Sequence, residues 1–246
     1  MLPDTEIDAL MVTDILKQID ECPMVEAIKR DESFVEIWPL AMSEEASNKV
    51  VSNRQAPNPE AAHHLIFTAL RGTRGVFPRA FYCESRGVLC VVVGFGYGTG
   101  GYPPNTPHGG IVTTMVHEGM RVLAQLWFPE DTAWKLSQLD VNFTRPLPLQ
   151  SICCITIMPA STVKDLPQIL TDPKLYGHWP DWLNTTDFGE RVNTFLAYMG
   201  QSDGHPLHDP VLSHGHAAAK FEAEGPDWPP SQPASPVQLD MEGHIT

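Results

Sequence analysis

The chain has 246 residues, of which 42% are hydrophobic and 19% charged, a balance that fits a soluble globular protein able to bury a sizeable core. Thirty Asp and Glu against sixteen Lys and Arg give a net charge of −14. Such a field repels phosphate backbones and anionic membrane surfaces, so neither nucleic acid nor a membrane is an expected partner.

In chain order, residues 5–21 place Ile7, Leu10, Met11, Ile15 and Ile19 on one helical face, with Pro23 beyond the end. A short helix is predicted over 23–31 and a strand over Phe34–Trp38. Residues 41–62 are polar and read as a loop, and 63–72 as helical. Strands follow over Arg79–Cys83 and Val88–Val93. A glycine-rich loop then leads to a helix over 109–127, stopped by Pro129. Leu136–Thr144 and Ile152–Met158 are β-rich. Residues 161–188 carry Pro, Asp and Trp without a period and read as an insertion or lid. Two more strands are predicted over Arg191–Met199 and Val211–Glu222. Five prolines from Pro226 to Pro236 mark a disordered tail.

One long helix set among antiparallel-type strands gives an α+β class and not a βαβ array. The expected division is an N-terminal helical extension over 1–62, a main domain over 63–223 and the tail over 224–246. The five cysteines (Cys22, Cys83, Cys90, Cys153, Cys154) are scattered and lack metal-ligand spacing. Reduced thiols in a cytoplasmic protein are the simplest reading. The N-terminus has no basic region followed by an apolar core, so no secretory signal is expected.

Three motifs are declined. Gly96-Tyr97-Gly98-Thr99-Gly100-Gly101 fits G-x-G-x-x-G, but Pro103 and Pro104 forbid the helix that a dinucleotide site requires. Gly200-Gln201-Ser202-Asp203-Gly204 fits a nucleophile elbow, but no helix follows it, and a turn is the better reading. His117-Glu118-Gly119-Met120-Arg121 begins like a zincin helix, yet Arg121 stands where the second histidine belongs. His205, His208, His214 and His216 form a cluster without a cysteine pair or fixed carboxylate. They are read as solvated or pocket-lining, with no metal and no cofactor expected.

The run from Pro107 to Gly119 carries the most information. His108-Gly109-Gly110 meets an apolar-periodic segment, so a turn delivers unpaired N–H groups and the positive helix end to one place, where they can hold a carbonyl oxygen or oxyanion. On the helix, Val112, Met115, Val116, Gly119, Met120 and Leu123 form the buried face. Thr113, His117 and Arg121 make one stripe, and Thr114, Glu118 and Gln125 its neighbour. For Glu118 and Arg121 a surface ion pair is the plain alternative to a role in chemistry.

His108-Gly109-Gly110 with its helix, followed by Leu139-Asp140-Val141-Asn142-Phe143-Thr144-Arg145-Pro146, resembles the hot-dog-fold acyl thioesterase superfamily, and the N-terminal helices resemble those of its fungal members. The resemblance implies an antiparallel sheet wrapped around the central helix, and a homodimer with the site at its interface. It also implies that an acid on the helix attacks the thioester or activates water, while the glycine amides bind the oxyanion. Carried over, Gly109 and Gly110 take the oxyanion role and His108 the turn role. His117 stands in the acid's position, and Glu118 lies one residue off, about 100° around the helix.

A neutral histidine there can act as a base for water, and a protonated one as a hydrogen-bond donor. The expected function is therefore a repurposed cyclase or isomerase acting on a lipophilic biosynthetic intermediate. It would use His108, His117, Glu118 and the glycine amides, with Thr113, Thr114, Arg121 and Trp127 as substrate contacts. Trp127, Trp134, Trp179 and Trp182 are candidate pocket or lid residues, with packing as the alternative. Two other readings stay open: an acyl-CoA or acyl-carrier thioesterase with His117 as base, and a non-catalytic lipophile-binding protein.

Overall fold

The computed structural model describes residues 17–38, 75–128, 134–162, 193–201, 203–207 and 212–223. The first part of the helix expected over 5–21, up to residue 16, lies outside the described residues, as do the helix expected over 63–72, the loop over 41–62, the insertion beyond Thr162, the tail, Trp179 and Trp182.

Seven strands build one sheet: β1 (Val35–Trp38), β2 (Val76–Cys83), β3 (Val88–Phe95), β4 (Trp134–Phe143), β5 (Ile152–Pro159), β6 (Thr194–Gln201) and β7 (Leu212–Ala223). Every pairing is antiparallel, and the order is β1-β2-β3-β5-β6-β7-β4. Helix α1 spans Pro23–Arg30 and helix α2 spans Gly109–Trp127, while residues 17–20 are also helical. Strands β3 and β4 flank α2 in sequence, yet β5, β6 and β7 separate them in the sheet. The chain thus crosses the sheet's inner face as α2, and β5 to β7 then fill the gap behind it. Helix α2 touches every strand from β3 to β7.

Two cores follow from this arrangement. The inner one packs Val112, Met115, Val116, Met120 and Leu123 of α2 on Leu89, Val91, Val93, Ile155, Ile157, Ala197 and Phe221. The outer one packs Ile19, Met24, Val25 and Ile28 on Phe77, Phe81, Val88, Cys90, Val92 and Cys154. All eight residues of β3 are buried, alternating between the two cores. That double burial is why its sequence reads as an unbroken apolar run. Gly119 is the point of closest approach: a Cβ there would overlap Ile157 Cδ1 and lie 3.2 Å from Val91 Cγ2.

Helix α1 begins at Pro23, where the missing N–H costs nothing. Arg79 on β2 donates from Nε and Nη2 to Glu36 Oε1 and Oε2 on β1, each at 2.7 Å, and pairs with Asp20, which also pairs with Lys29 of α1 at 3.2 Å. Glu36 stands on β1, so the sheet draws its first strand from the N-terminal 62 residues.

Strand β2 starts at Val76, earlier than the sequence suggests, and contains Pro78. Pro78 pairs with Val93 on one side, and on the other it lies past the end of β1, whose last partner is Ala80. No ladder bond is lost there, so proline is tolerated. Trp134 stacks on Phe128 with centroids 3.7 Å apart at 17°, a packing role. Among the described residues no helix is long and apolar enough to cross a membrane.

Candidate functional site

Between β3 and α2, residues 96–108 fold back on themselves. Thr99 Oγ1 donates to Gly96 O at 2.6 Å, Gly101 N–H to Thr106 O at 2.8 Å, and His108 N–H to Thr99 O at 2.6 Å. A Cβ at position 101 would sit 2.7 Å from His108 Cα, so the last glycine of the G-x-G-x-x-G run is where two backbone stretches cross. No α-helix starts within that run.

The crossing delivers His108 to the N-cap of α2 in extended conformation, φ −61° and ψ 128°. Its Nδ1 accepts the Gly110 N–H at 3.0 Å. Its carbonyl accepts from Ile111 at 2.9 Å and from Val112 at 3.3 Å. A helix start leaves four N–H groups without intrahelical partners. Three are satisfied here, and Gly109 N–H alone has no partner among the described residues. The expectation of two open glycine amides is corrected to one, because the histidine ring occupies the other.

Gly109 lies on the wall of a cleft of about 250 Å³. Tyr102, Pro103, Thr106 and Pro107 of the loop form one side, and Gly109 and Val112 the helix side. Residues 143–147, leaving β4, face them, and Met199 and His214 close the floor. The two sequence runs that carry the resemblance, His108–Gly110 and Thr144–Pro146, therefore meet at one place. Most of the lining is apolar, and among the described residues no carboxylate belongs to it. Tyr102 and Phe143 stand at the rim, 92% and 48% exposed.

His214 is buried, with Nδ1 3.0 Å from Pro146 O and Nε2 2.9 Å from Gln201 Oε1. Both partners are acceptors, so a neutral ring serves one of them and a protonated ring both. Burial is the largest influence on this ring and holds it below the ordinary histidine value, and the Arg145 charge acts in the same direction. His216 is buried one pleat further along β7. Among the described residues no group of three or more His, Cys, Asp or Glu is close enough to hold a metal ion.

The remaining predicted residues lie elsewhere along α2. Thr113 and Thr114 are half-buried one turn in, and Thr114 Oγ1 donates to Gly110 O at 2.7 Å. His117 lies about 12 Å along the axis from Gly109 and does not line the cleft. Its Nδ1 is 3.6 Å from Glu118 Oε1. Glu118 and Arg121 do form an ion pair, Nε to Oε2 at 3.0 Å, but it is no surface pair: Glu118 is 7% exposed. Trp127 sits roughly 27 Å from Gly109, at the far end of α2. Its ring covers Gly87 in the β2–β3 turn, a packing contact, and it does not line the cleft.

Sequence reasoning missed Tyr102, Phe143, Arg145, Leu147 and Met199 as cleft residues. Arg145-Pro146 carried a signal through the resemblance, and His214 through its cluster, whereas Met199 carried none. The buried thiols are poor nucleophiles: hydrogen bonding to Cys154, then burial, pushes Cys90 well up, and burial pushes Cys153 up.

No family profile matches the chain, and no curated protein does. Among solved structures it is similar to a thioesterase superfamily protein, at 16% identity and TM-score 0.38, over 59% of this chain. The chain spans 55% of that protein's length. It is also similar to an acyl-CoA hydrolase from Staphylococcus aureus, at 12% identity and TM-score 0.37, over 66% of this chain and 71% of that one. A third is AziG of S. sahachiroi, at 9% identity and TM-score 0.36, over 55% and 82%. These likenesses are slight, and what decides the fold is the chain's own strand order around one central helix. It is a hot-dog fold. In this hot-dog fold the cleft lies where the central helix begins, against the ends of β4 and β7.

Proposed function

We propose that the protein is an enzyme that holds a lipophilic biosynthetic intermediate in this cleft. There it promotes a non-hydrolytic ring closure or isomerisation, such as a Diels-Alder-type cycloaddition, by hydrogen-bonding a substrate carbonyl. The observation that carries this reading is the single open N–H of Gly109, set in an apolar cleft with no carboxylate among its described lining residues. A carbonyl oxygen accepting from that N–H, at the positive end of α2, becomes more electron-withdrawing. A conjugated alkene attached to it is then activated for addition, and an enolate formed from it is stabilised. Both nitrogens of His214, the histidine of the lining, are engaged.

Gly109→Pro tests the reading. It deletes the N–H at the first helical position, where proline is favoured, and His108 already has the extended backbone that a following proline requires. Stability should hold while turnover falls about 10²–10³-fold, the loss typical of one oxyanion-type donor. With a linear trienone as probe, mass spectrometry distinguishes ring closure, which leaves the mass unchanged, from hydrolysis. Turnover that survives Gly109→Pro would overturn the reading.

One observation favours a second reading, acyl-thioester hydrolysis with His117 as general base. His117 stands beside the buried carboxylate of Glu118, the partner that orients such a base. Acyl-thioester hydrolysis that is abolished by His117→Ala would establish that reading. His117 and Gly109 are far apart in one chain, and a homodimer is the proposed way to join them. Strand β4 pairs only with β7 among the described strands, leaving an edge on which a second copy could add. Sedimentation measurements test the dimer.

A further inference from the structure

The cleft holds a cation that carbonyl activation does not use. The chain carries nearly twice as many acidic as basic residues, yet among the described residues the lining includes Arg145 and no acid. Four other arginines are matched: Arg30 with Glu26 at 2.8 Å, Arg79 with Glu36 at 2.7 Å, Arg86 with Asp31 at 3.7 Å, and Arg121 with Glu118 at 3.0 Å. Arg145 has no ion-pair partner among the described residues. Its base is fixed: the Arg145 and Thr144 N–H groups both donate to His214 O, at 3.2 Å and 3.0 Å. Arg145 lines the cleft together with His214.

We infer that the ligand of this cleft is an amphiphilic anion, an apolar chain bearing a free carboxylate. The carboxylate would lie at Arg145, toward the open N–H of Gly109, and the chain along Val112, Leu147 and Met199. Arginine suits a carboxylate because its planar fork donates two parallel hydrogen bonds. The net charge of −14 disfavours such a ligand over the surface as a whole, so an unmatched arginine at the exposed edge of an apolar cleft favours binding there. The inference rests on the function proposed above in placing the ligand in this cleft, and it adds the ligand's charge. A thioester has no charge at that position, so the two ligand classes separate cleanly.

Decanoate and 1-decanol are matched probes of one chain length, and calorimetric titration measures both against the wild type, Arg145→Gln, Arg145→Lys and Val112→Trp. Because Arg145 is exposed, its contribution is screened, and wild type should bind decanoate about tenfold more tightly than decanol in dilute buffer. The gap should close in about 1 M salt, where charges are screened within about 3 Å. Arg145→Gln should bring decanoate to the level of decanol and leave decanol unchanged, while Arg145→Lys keeps part of the preference. Equal binding of the two probes by wild type, no decanoate binding at all, or a preference that survives Arg145→Gln overturns the inference. Val112→Trp fills the cleft. If both probes still bind that variant, the cleft is not the site and the proposed function falls as well. If it blocks both probes while wild type shows no carboxylate preference, the anion inference alone fails.

Discussion

Gly119→Ala has opposite effects in two backgrounds. Alanine in mid-helix gains about 1 kcal/mol of helix propensity over glycine. Against that gain, the new Cβ would overlap Ile157 Cδ1 and press on Val91 Cγ2 at 3.2 Å, overpacking of a kind that costs about 1–3 kcal/mol. The net change in the wild type is a loss of about 1 kcal/mol. Ile157→Val removes only the Cδ1 atom and costs about 1 kcal/mol by itself. In that background the methyl group added at position 119 enters the space left by Cδ1, so the propensity gain survives and Gly119→Ala turns stabilising. The coupling across the pair is then about 1–2 kcal/mol. Urea unfolding followed by circular dichroism reads it: with slopes of about 1–3 kcal/mol/M, each step moves the midpoint by roughly 0.5 M. If Gly119→Ala stabilises both backgrounds equally, α2 does not sit on β5 as closely as described, and the reasoning fails.

Gly87→Ala should cost at least about 1–2 kcal/mol, because φ is +61° and the new Cβ would meet the Trp127 ring; Trp127→Ala beforehand should relieve only the ring's share, as thermal melts would show. His108→Ala removes the cap on Gly110 and should lower stability by about 1 kcal/mol, while His108→Asn keeps most of it; equal midpoints for both variants would sink the capping role. His214 carries a pH dependence. Burial holds its folded pKa below the unfolded value of about 6.5, outweighing the backbone hydrogen bonds that favour the charged ring, so the unfolded chain takes up a proton that the folded one refuses. Stability should be full above about pH 6.5 and fall as the pH drops toward the folded value. The urea midpoint should be lower at about pH 5.5 than at about pH 7.5, and His214→Gln should flatten the difference. A midpoint that rises on acidification would refute this.

The fold was legible where one physical cause acted alone. The run Val88–Val93 had to be a strand buried on both faces, and the helix over 109–127 was bounded by a histidine-glycine start and a proline beyond its end. The site was legible only at its start. Glycine spacing announces an open helix N-terminus, but whether each amide remains open depends on the rotamer of His108, which no pattern encodes. Glu118 and Arg121 read as a surface pair because helical spacing says nothing about what covers that face. The packing of the Trp127 ring on the αL turn at Gly87 joins positions forty residues apart, and no local pattern announces it. The cleft itself is assembled from the loop, α2, the end of β4, β6 and β7. Met199 acquires its position from the register of β6 against β5 and β7, a long-range property invisible in local sequence.

The outer core has a consequence for what counts as one foldable unit. Stripped of residues 19–28, the sheet with its central helix would turn Phe77, Phe81, Val88 and Val92 toward water in one contiguous sticky face. A trimmed chain of that kind should self-associate even with the cleft and α2 intact. The segment around α1 behaves as a covalently tethered chaperone for its own sheet, occupying permanently a surface that would otherwise recruit a stranger.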